Sequence, residues 1–346
     1  MTERILDVVP PRAEPASPPA TPAPPVRYPR VRLRWAITAL LVVVACVAPF
    51  QLAPFRVFQL TMVLVYALAL LGLNLLVGHA GQISLGHGAF FAIGAYTSAV
   101  MLEHWDAPYL LTLPAAMLVT FGVGFGLGVP ALRLRGLYLA LVTMTIAIFL
   151  VPLLKRFESV TGGSMGLTLS RPRPPAWTGL AEDQWLYFLA LAVTAACGVA
   201  VWCLLRSRVG RALHALRDNE TAAEVMGVRL SRYKTLAFAW SAMLAGAAGA
   251  VNTWVIAFVS PDSFTATLSI MLLAGIVVGG LGSTFGPLLG GAFVLFVPTL
   301  AQGVNQAAPG VVFGVLLILI MYVAPTGLAG LAGRAGRFAI QLRRKK

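Results

Sequence analysis

Long apolar runs separated by short polar segments make up most of this 346-residue chain. A helix needs about 20 apolar residues to cross a bilayer. Runs of that kind fall at roughly 35–54, 57–77, 86–102, 109–130, 136–154, 184–205, 235–259, 267–282, 284–306 and 310–325. The pattern predicts an all-α integral membrane protein with about ten transmembrane helices. The run at 86–102 is short and begins in a glycine-rich stretch. The sequence GGLGSTFGPLLGG, inside 267–306, reads either as a loop or as a break within the membrane.

One polar island interrupts the runs, RSRVGRALHALRDNETAAEVMGVRLSRYK at 206–234. It carries Arg206, Arg208, Arg211, Arg217, Arg229, Arg232 and Lys234 against Asp218, Glu220 and Glu224. A basic loop between two spans is retained in the cytoplasm. A short helix is predicted inside it. Asp218 or Asn219 can cap its start, and Glu220 and Glu224 suit the positive end of its dipole. Thr221 and Glu224 have capping-box spacing and allow a slightly later start. Ala222, Ala223 and Met226 fall on one side, and Gly227 is placed to end the helix in a left-handed conformation. So short a helix is not stable alone and calls for a surface to dock on. The alternative is a basic connector lying against lipid.

Composition agrees with the pattern. The chain is 58% hydrophobic and 11% charged, with a mean hydropathy of +0.83, which is outside the range of soluble domains. The net charge of +14 sits in loops and tails, so it does not point to nucleic acid. With the N-terminus inside and ten spans, both ends are cytoplasmic. Of the 26 Lys and Arg residues, 21 then lie inside and five outside: Arg56, Lys155, Arg156, Arg171 and Arg173. Residues 1–34 are too rich in proline for helix or sheet and read as a disordered cytoplasmic tail. They contain no apolar core of a signal peptide. Residues 35–325 form the membrane domain, and 326–346 a basic cytoplasmic tail. Cys46, Cys197 and Cys203 form no disulfide framework, and the four histidines no metal cluster.

The apolar runs contain no Asp, Glu, Lys or Arg, whereas ion-driven carriers usually bury ionisable groups. Glycines recur at helix-packing spacing, as in Gly122/Gly126, Gly124/Gly128, Gly275/Gly279 and Gly286/Gly290. The stretch Gly72–Ala99 sets five of its glycines among His79, Gln82, Ser84 and His87. It reads either as broken backbone lining a translocation path or as a short cytoplasmic turn entering a glycine-rich helix. Path candidates are Asn74, Gln82, Ser84 and His87. The longest external loop, 155–183, is a landing surface for a soluble partner.

The chain has no Gly-Lys-Ser/Thr phosphate loop, so it does not hydrolyse ATP itself. No Ser/His/Asp set, carboxylate pair or HExxH motif suggests an enzyme. A chain without chemistry and without a charge relay is a passive channel or is driven by a partner.

Four stretches together resemble a known family. They are GLNLLVGHAGQISLGHGAFFAIGAYTSA, RLRGLYLALVTMTIAIFL with TGGSMGL, SRVGRALHALRDNETAAEVMGVRLSRYKTLAF with AGAAGAV, and SPDSF followed by VVGGLGSTFGPLLGG. In this order, over roughly 57–325, they are similar to the permease subunits of ATP-binding-cassette importers for branched-chain amino acids. The resemblance implies a multi-pass permease of the bacterial cytoplasmic membrane carrying leucine, isoleucine and valine. It also implies a related second permease, two ATPase subunits and a periplasmic amino-acid-binding protein, with no cofactor. Asn219, Glu220, Ala222, Ala223, Met226 and Gly227 would form the helix that couples to the ATPase. Permeases for urea and short amides share these motifs and remain an alternative, as does a self-sufficient channel.

Overall fold

A computed structural model describes residues 43–131, 136–302, 309–325 and 327–331. The chain divides into two compact units, 1–46 and 47–346. Of the first only 43–46, all helical, are described. The Pro-rich tail, Arg133, Arg135, Asn305, residues 35–42 of the 35–54 run and the RRKK end lie outside the described residues.

The second unit starts with helical residues 47–51 (α1). Proline at the first position of α2 (Pro54–Leu73) suits a helix start, where no amide donor is missed. A wider π-turn, Asn74–His79, continues α2, and residues 80–86 are non-helical. There follow α3 (His87–Trp105), α4 (Tyr109–Ala131), α5 (Leu137–Arg156), the single turn α6 (Glu158–Thr161) and α7 (Glu182–Arg206). The island folds as α8 (Arg208–Asp218) and α9 (Glu220–Val225). The rest is α10 (Leu230–Ile256), α11 (Ala266–Gly279), α12 (Gly286–Gln302) and α13 (Pro309–Val323). Two-residue strands, Leu167–Thr168 and Phe258–Val259, pair antiparallel.

Among the described residues, six stretches are long and apolar enough to cross a membrane: Pro54–His79, Tyr109–Val129, Leu137–Arg156, Glu182–Arg206, Leu230–Ile256 and Gly310–Leu331. The helices outrun the apolar runs, so charges such as Glu182, Asp183, Arg206 and Lys155 sit in their end turns. The described part of the 267–306 run forms two shorter apolar helices, α11 and α12, around a turn at 280–285.

α10 is the centre of the bundle and packs on α2, α3 and α4. Its alanines and glycines are buried on every side, from Ala237 through Ala250. A helix with no polar face belongs in the interior, and small side chains let neighbouring backbones close in. A methyl group on Gly94 would overlap the Gly246 carbonyl, and one on Gly249 the Phe91 carbonyl. Gly124 and Gly128 of α4 lie against Ala242 and Thr235 of α10. Gly122 and Gly126 face away and meet nothing within 4 Å. The expected glycine pairs of α4 therefore do different things. Along its apolar window α10 is 83% buried and α7 only 17%, so α7 shows its apolar surface to the surroundings. At the far end of α10 from the island, Trp254 Nε1 donates to Thr112 Oγ1 at 3.1 Å, and Thr112 shares a 2.8 Å bond with Ser98. These bonds tie α10, α4 and α3 together without a charge.

Candidate functional site

The island is two helices set at a corner, not one. Ser207 caps α8 by accepting a bond from the Val209 amide at 3.1 Å. Ala212, Leu213 and Leu216 give α8 a buried face. Asn219 is the corner. Its amide donates to the Ala215 carbonyl at 3.0 Å, closing α8. Its side chain accepts from the Ala222 amide at 3.0 Å, opening α9. Asn219 is thus the cap, and Asp218 belongs to α8. α9 ends with Val228 N bonded to Ala223 O at 3.0 Å and Gly227 N to Glu224 O at 2.9 Å. That pair of bonds requires a left-handed residue, and Gly227 has φ +83°.

The expected apolar face of α9 is divided. Ala223 is buried within the chain at 4% exposure, whereas Val225 and Met226 are each 83% exposed. Nor does α9 lack a surface of its own to dock on. Lys234 of α10 reaches Glu220 at 2.6 Å, and Ala223 packs inward. The short helix is held from beneath by this ion pair and that buried methyl. A cavity of about 500 Å³ opens beside it, lined by Glu224, Gly227, Arg229, Ser231 and Lys234.

α8 packs against both turns of the membrane domain. The Arg217 guanidinium donates to the Gly78 carbonyl. Gly81 (φ +70°) and Gly282 (φ +72°) each face the Arg217 side chain so closely that a β-carbon would sit 3.3 Å from it. His79 Nδ1 lies 3.2 Å from His214 Nε2. Asn74 joins the turns to each other. Its carbonyl oxygen accepts from Gly282 N at 2.8 Å, and its amide nitrogen donates to Ser283 O at 3.0 Å. Both ends of the Asn74 amide are therefore engaged by the 280–285 turn. The break after α2 lies at the island end of the bundle.

The break leads into a buried polar layer at the head of α3. Ser241 Oγ donates to the Gly72 carbonyl at 2.6 Å, and His87 Nε2 lies 2.6 Å from the same oxygen. Ser241 has one proton and gives it to Gly72, so His87 Nε2 is the donor in their bond and Nδ1 is left as an acceptor. That Nδ1 is buried with no partner among the described residues, as is the Gln82 amide nitrogen. The hydroxyls of Ser84, Thr143 and Ser269 accept from Gly86 N at 3.3 Å, Leu85 N at 3.0 Å and Gly88 N at 2.9 Å. Side chains from α5 and α11 thus satisfy backbone that no helix pairs, as non-helical chain away from water requires.

At the opposite end, Lys155 of α5 pairs with Asp262 at 2.7 Å. The loop after α5 is pinned to the end of α10 through the strand pair. A cavity of about 610 Å³ there is lined by Glu103, Asp106, Tyr109, Arg171 and Arg173, among others.

The structure gathers Gln82, Ser84 and His87 around the start of α3 and Asn219 to Gly227 on α9, and sets Asn74 on the 280–285 turn. Sequence reasoning missed Arg217, Ser241, Thr143 and Ser269. It also missed α8, whose cap at Ser207 and apolar positions 209, 212, 213 and 216 repeat at helical spacing.

The family described as branched-chain amino acid transport system / permease component matches residues 55–324. The chain is 36% identical over 311 residues to the high-affinity branched-chain amino acid transport system permease protein LivM of Salmonella typhimurium, covering 83% of this chain and 73% of that one. Identity and coverage are the same for LivM of Escherichia coli K12. The permease protein LivH of the same transport system in Salmonella typhimurium is 27% identical over 280 residues, covering 76% of this chain and 90% of that one. No solved structure matches the chain. A match over nearly the whole helical bundle, with two relatives above 30% identity, identifies a transport subunit rather than an enzyme: the chain belongs to the family of permease components of branched-chain amino acid transport systems.

Proposed function

We propose that this chain is one of two related permease subunits of an ATP-binding-cassette importer in a bacterial cytoplasmic membrane, and that it carries leucine, isoleucine and valine. The observation that carries this reading is its likeness to both LivM and LivH, two permeases of one high-affinity system. A chain related to both pairs naturally with a second copy of the same fold. Energy comes from two partner ATPases docked on the island, with Asn219, Glu220, Ala222, Ala223, Met226 and Gly227 forming the coupling helix. Both termini are cytoplasmic. A periplasmic amino-acid-binding protein delivers substrate to the end bearing Arg171 and Arg173. The path passes Gln82, Ser84 and His87, with Asn74 behind them holding the 280–285 turn. The His87 acceptor and the Gln82 donor, both without a partner among the described residues, suit the ammonium and carboxylate of an amino acid.

Uptake of labelled leucine, and separately of urea, in cells lacking the gene tests the proposal. Leucine uptake is lost, urea uptake is unchanged, and the restored gene returns the first. Unchanged leucine uptake with lost urea uptake would instead assign the chain to the amide-carrying branch. Leucine uptake that persists without the partner ATPases would make it a self-sufficient channel.

A further inference from the structure

Two turns of the membrane domain, 78–82 and 280–283, meet one side chain of the island, that of Arg217. Its guanidinium bonds the Gly78 carbonyl and lies against Gly282, while its α-, β- and γ-carbons lie against Gly81. Both glycines have positive φ, at +70° and +72°, so each turn keeps a conformation that leaves room for Arg217, the first for its stem and the second for its guanidinium. The two turns are already one body, because Asn74 bonds Gly282 and Ser283 while Gly78 packs against Gly282. On the other side, Arg217 lies two residues before Asn219, which closes α8 and opens α9 through two hydrogen bonds. These two bonds join α8 to α9 directly across the corner. The turns in turn lead into Ser84 and His87 at the head of α3 and into α11 and α12.

We propose that Arg217 is a positioning residue that links α8 to both turns at once, so that movement of the island shifts the head of α3 and the α11–α12 turn together. The proposal rests on the importer reading. It adds the contact through which coupling leaves the island, and it makes α8, not α9 alone, the moving element.

The test uses the complete transporter in vesicles with loaded binding protein, measuring leucine uptake and ATP hydrolysis in the same sample. Arg217→Ala assembles with its partners but uncouples them, and the ATP hydrolysed per leucine transported rises about 5-fold or more, the scale of a typical coupling free energy. Arg217→Lys keeps one donor for the Gly78 carbonyl and recovers most of the wild-type ratio, whereas Arg217→Met, which keeps the stem without a donor, does not; equal recovery in both would make the role purely steric. An unchanged ratio in Arg217→Ala overturns the proposal. Loss of the assembled complex in that variant also overturns it, because Arg217 would then be a folding residue. A ratio in Arg217→Lys as poor as in Arg217→Ala overturns the hydrogen-bond account. If wild-type vesicles themselves neither take up leucine nor stimulate hydrolysis, the importer reading has failed instead.

Discussion

His87 and Ser241 are 154 residues apart in sequence and 2.6 Å apart in the structure, with Ser241 also bonded to the Gly72 carbonyl at 2.6 Å. One hydroxyl thus joins α2, α3 and α10 at the level where α3 begins. Its removal strands two buried groups, the His87 donor and the Gly72 carbonyl. Ser241→Ala is expected to lower stability by about 1–3 kcal/mol for each group left unpaired. Thermal unfolding of the purified complex, followed by intrinsic fluorescence, reads this as a lower midpoint. His87→Gln, which retains a donor, loses less than His87→Leu. Equal losses in the two would mean that the bond contributes nothing.

The glycines of α3 and α4 separate packing inside this chain from packing outside it. Gly94→Val drives a side chain into the backbone of α10 at Gly246. Overfilling a tight contact costs about 1–3 kcal/mol and occasionally more, so this variant fails to accumulate in the membrane. Gly122→Val and Gly126→Val meet nothing within 4 Å in the chain and accumulate normally. Membrane yields of the three variants, compared by immunoblot, decide the point.

The proposed ATPase docking would fall to the exposed residues at the end of α9, Val225 and Met226. The double variant Val225→Asp, Met226→Asp leaves the Glu220–Lys234 pair and buried Ala223 in place. It is expected to weaken capture of the ATPase subunits by about 30-fold, the cost of losing an interface hot spot of about 2 kcal/mol. Ala223→Trp acts differently, by forcing α9 off α10, and should expose the island to protease in the isolated chain. Co-purification and limited proteolysis together distinguish the two. Full ATPase capture by the double variant would return the island to the role of a simple connector.

Orientation is tested with single cysteines at Ser164 and Asn219, both exposed and at opposite ends of the bundle, in a background free of Cys46, Cys197 and Cys203. An impermeant thiol reagent added to intact cells labels position 164 and spares position 219. Labelling of 219 from outside would reverse the topology.

What was legible in the sequence is what local chemistry dictates. Runs of apolar residues long enough for a bilayer announced the helices, because in lipid each backbone must pair within its own segment. The cap at Asn219 and the left-handed stop at Gly227 were legible for the same reason, since a few neighbouring residues set each. Which face of a helix meets which neighbour is not a local property. Ala222, Ala223 and Met226 share a side by spacing, yet only Ala223 is covered, because α10 lies on one flank alone. Gly122/Gly126 and Gly124/Gly128 look alike in sequence and differ only in whether α10 is beside them. Arg217 read as one basic residue among seven, and became a link between two turns only when Gly78, Gly81 and Gly282 were brought around it from two distant stretches of chain. Sequence by itself determined that this is an all-helical membrane protein with a polar island and no catalytic chemistry. Tertiary structure alone decided which polar groups are buried together, because contacts between residues far apart in the chain depend on how the helices cross, and no local pattern encodes the crossing.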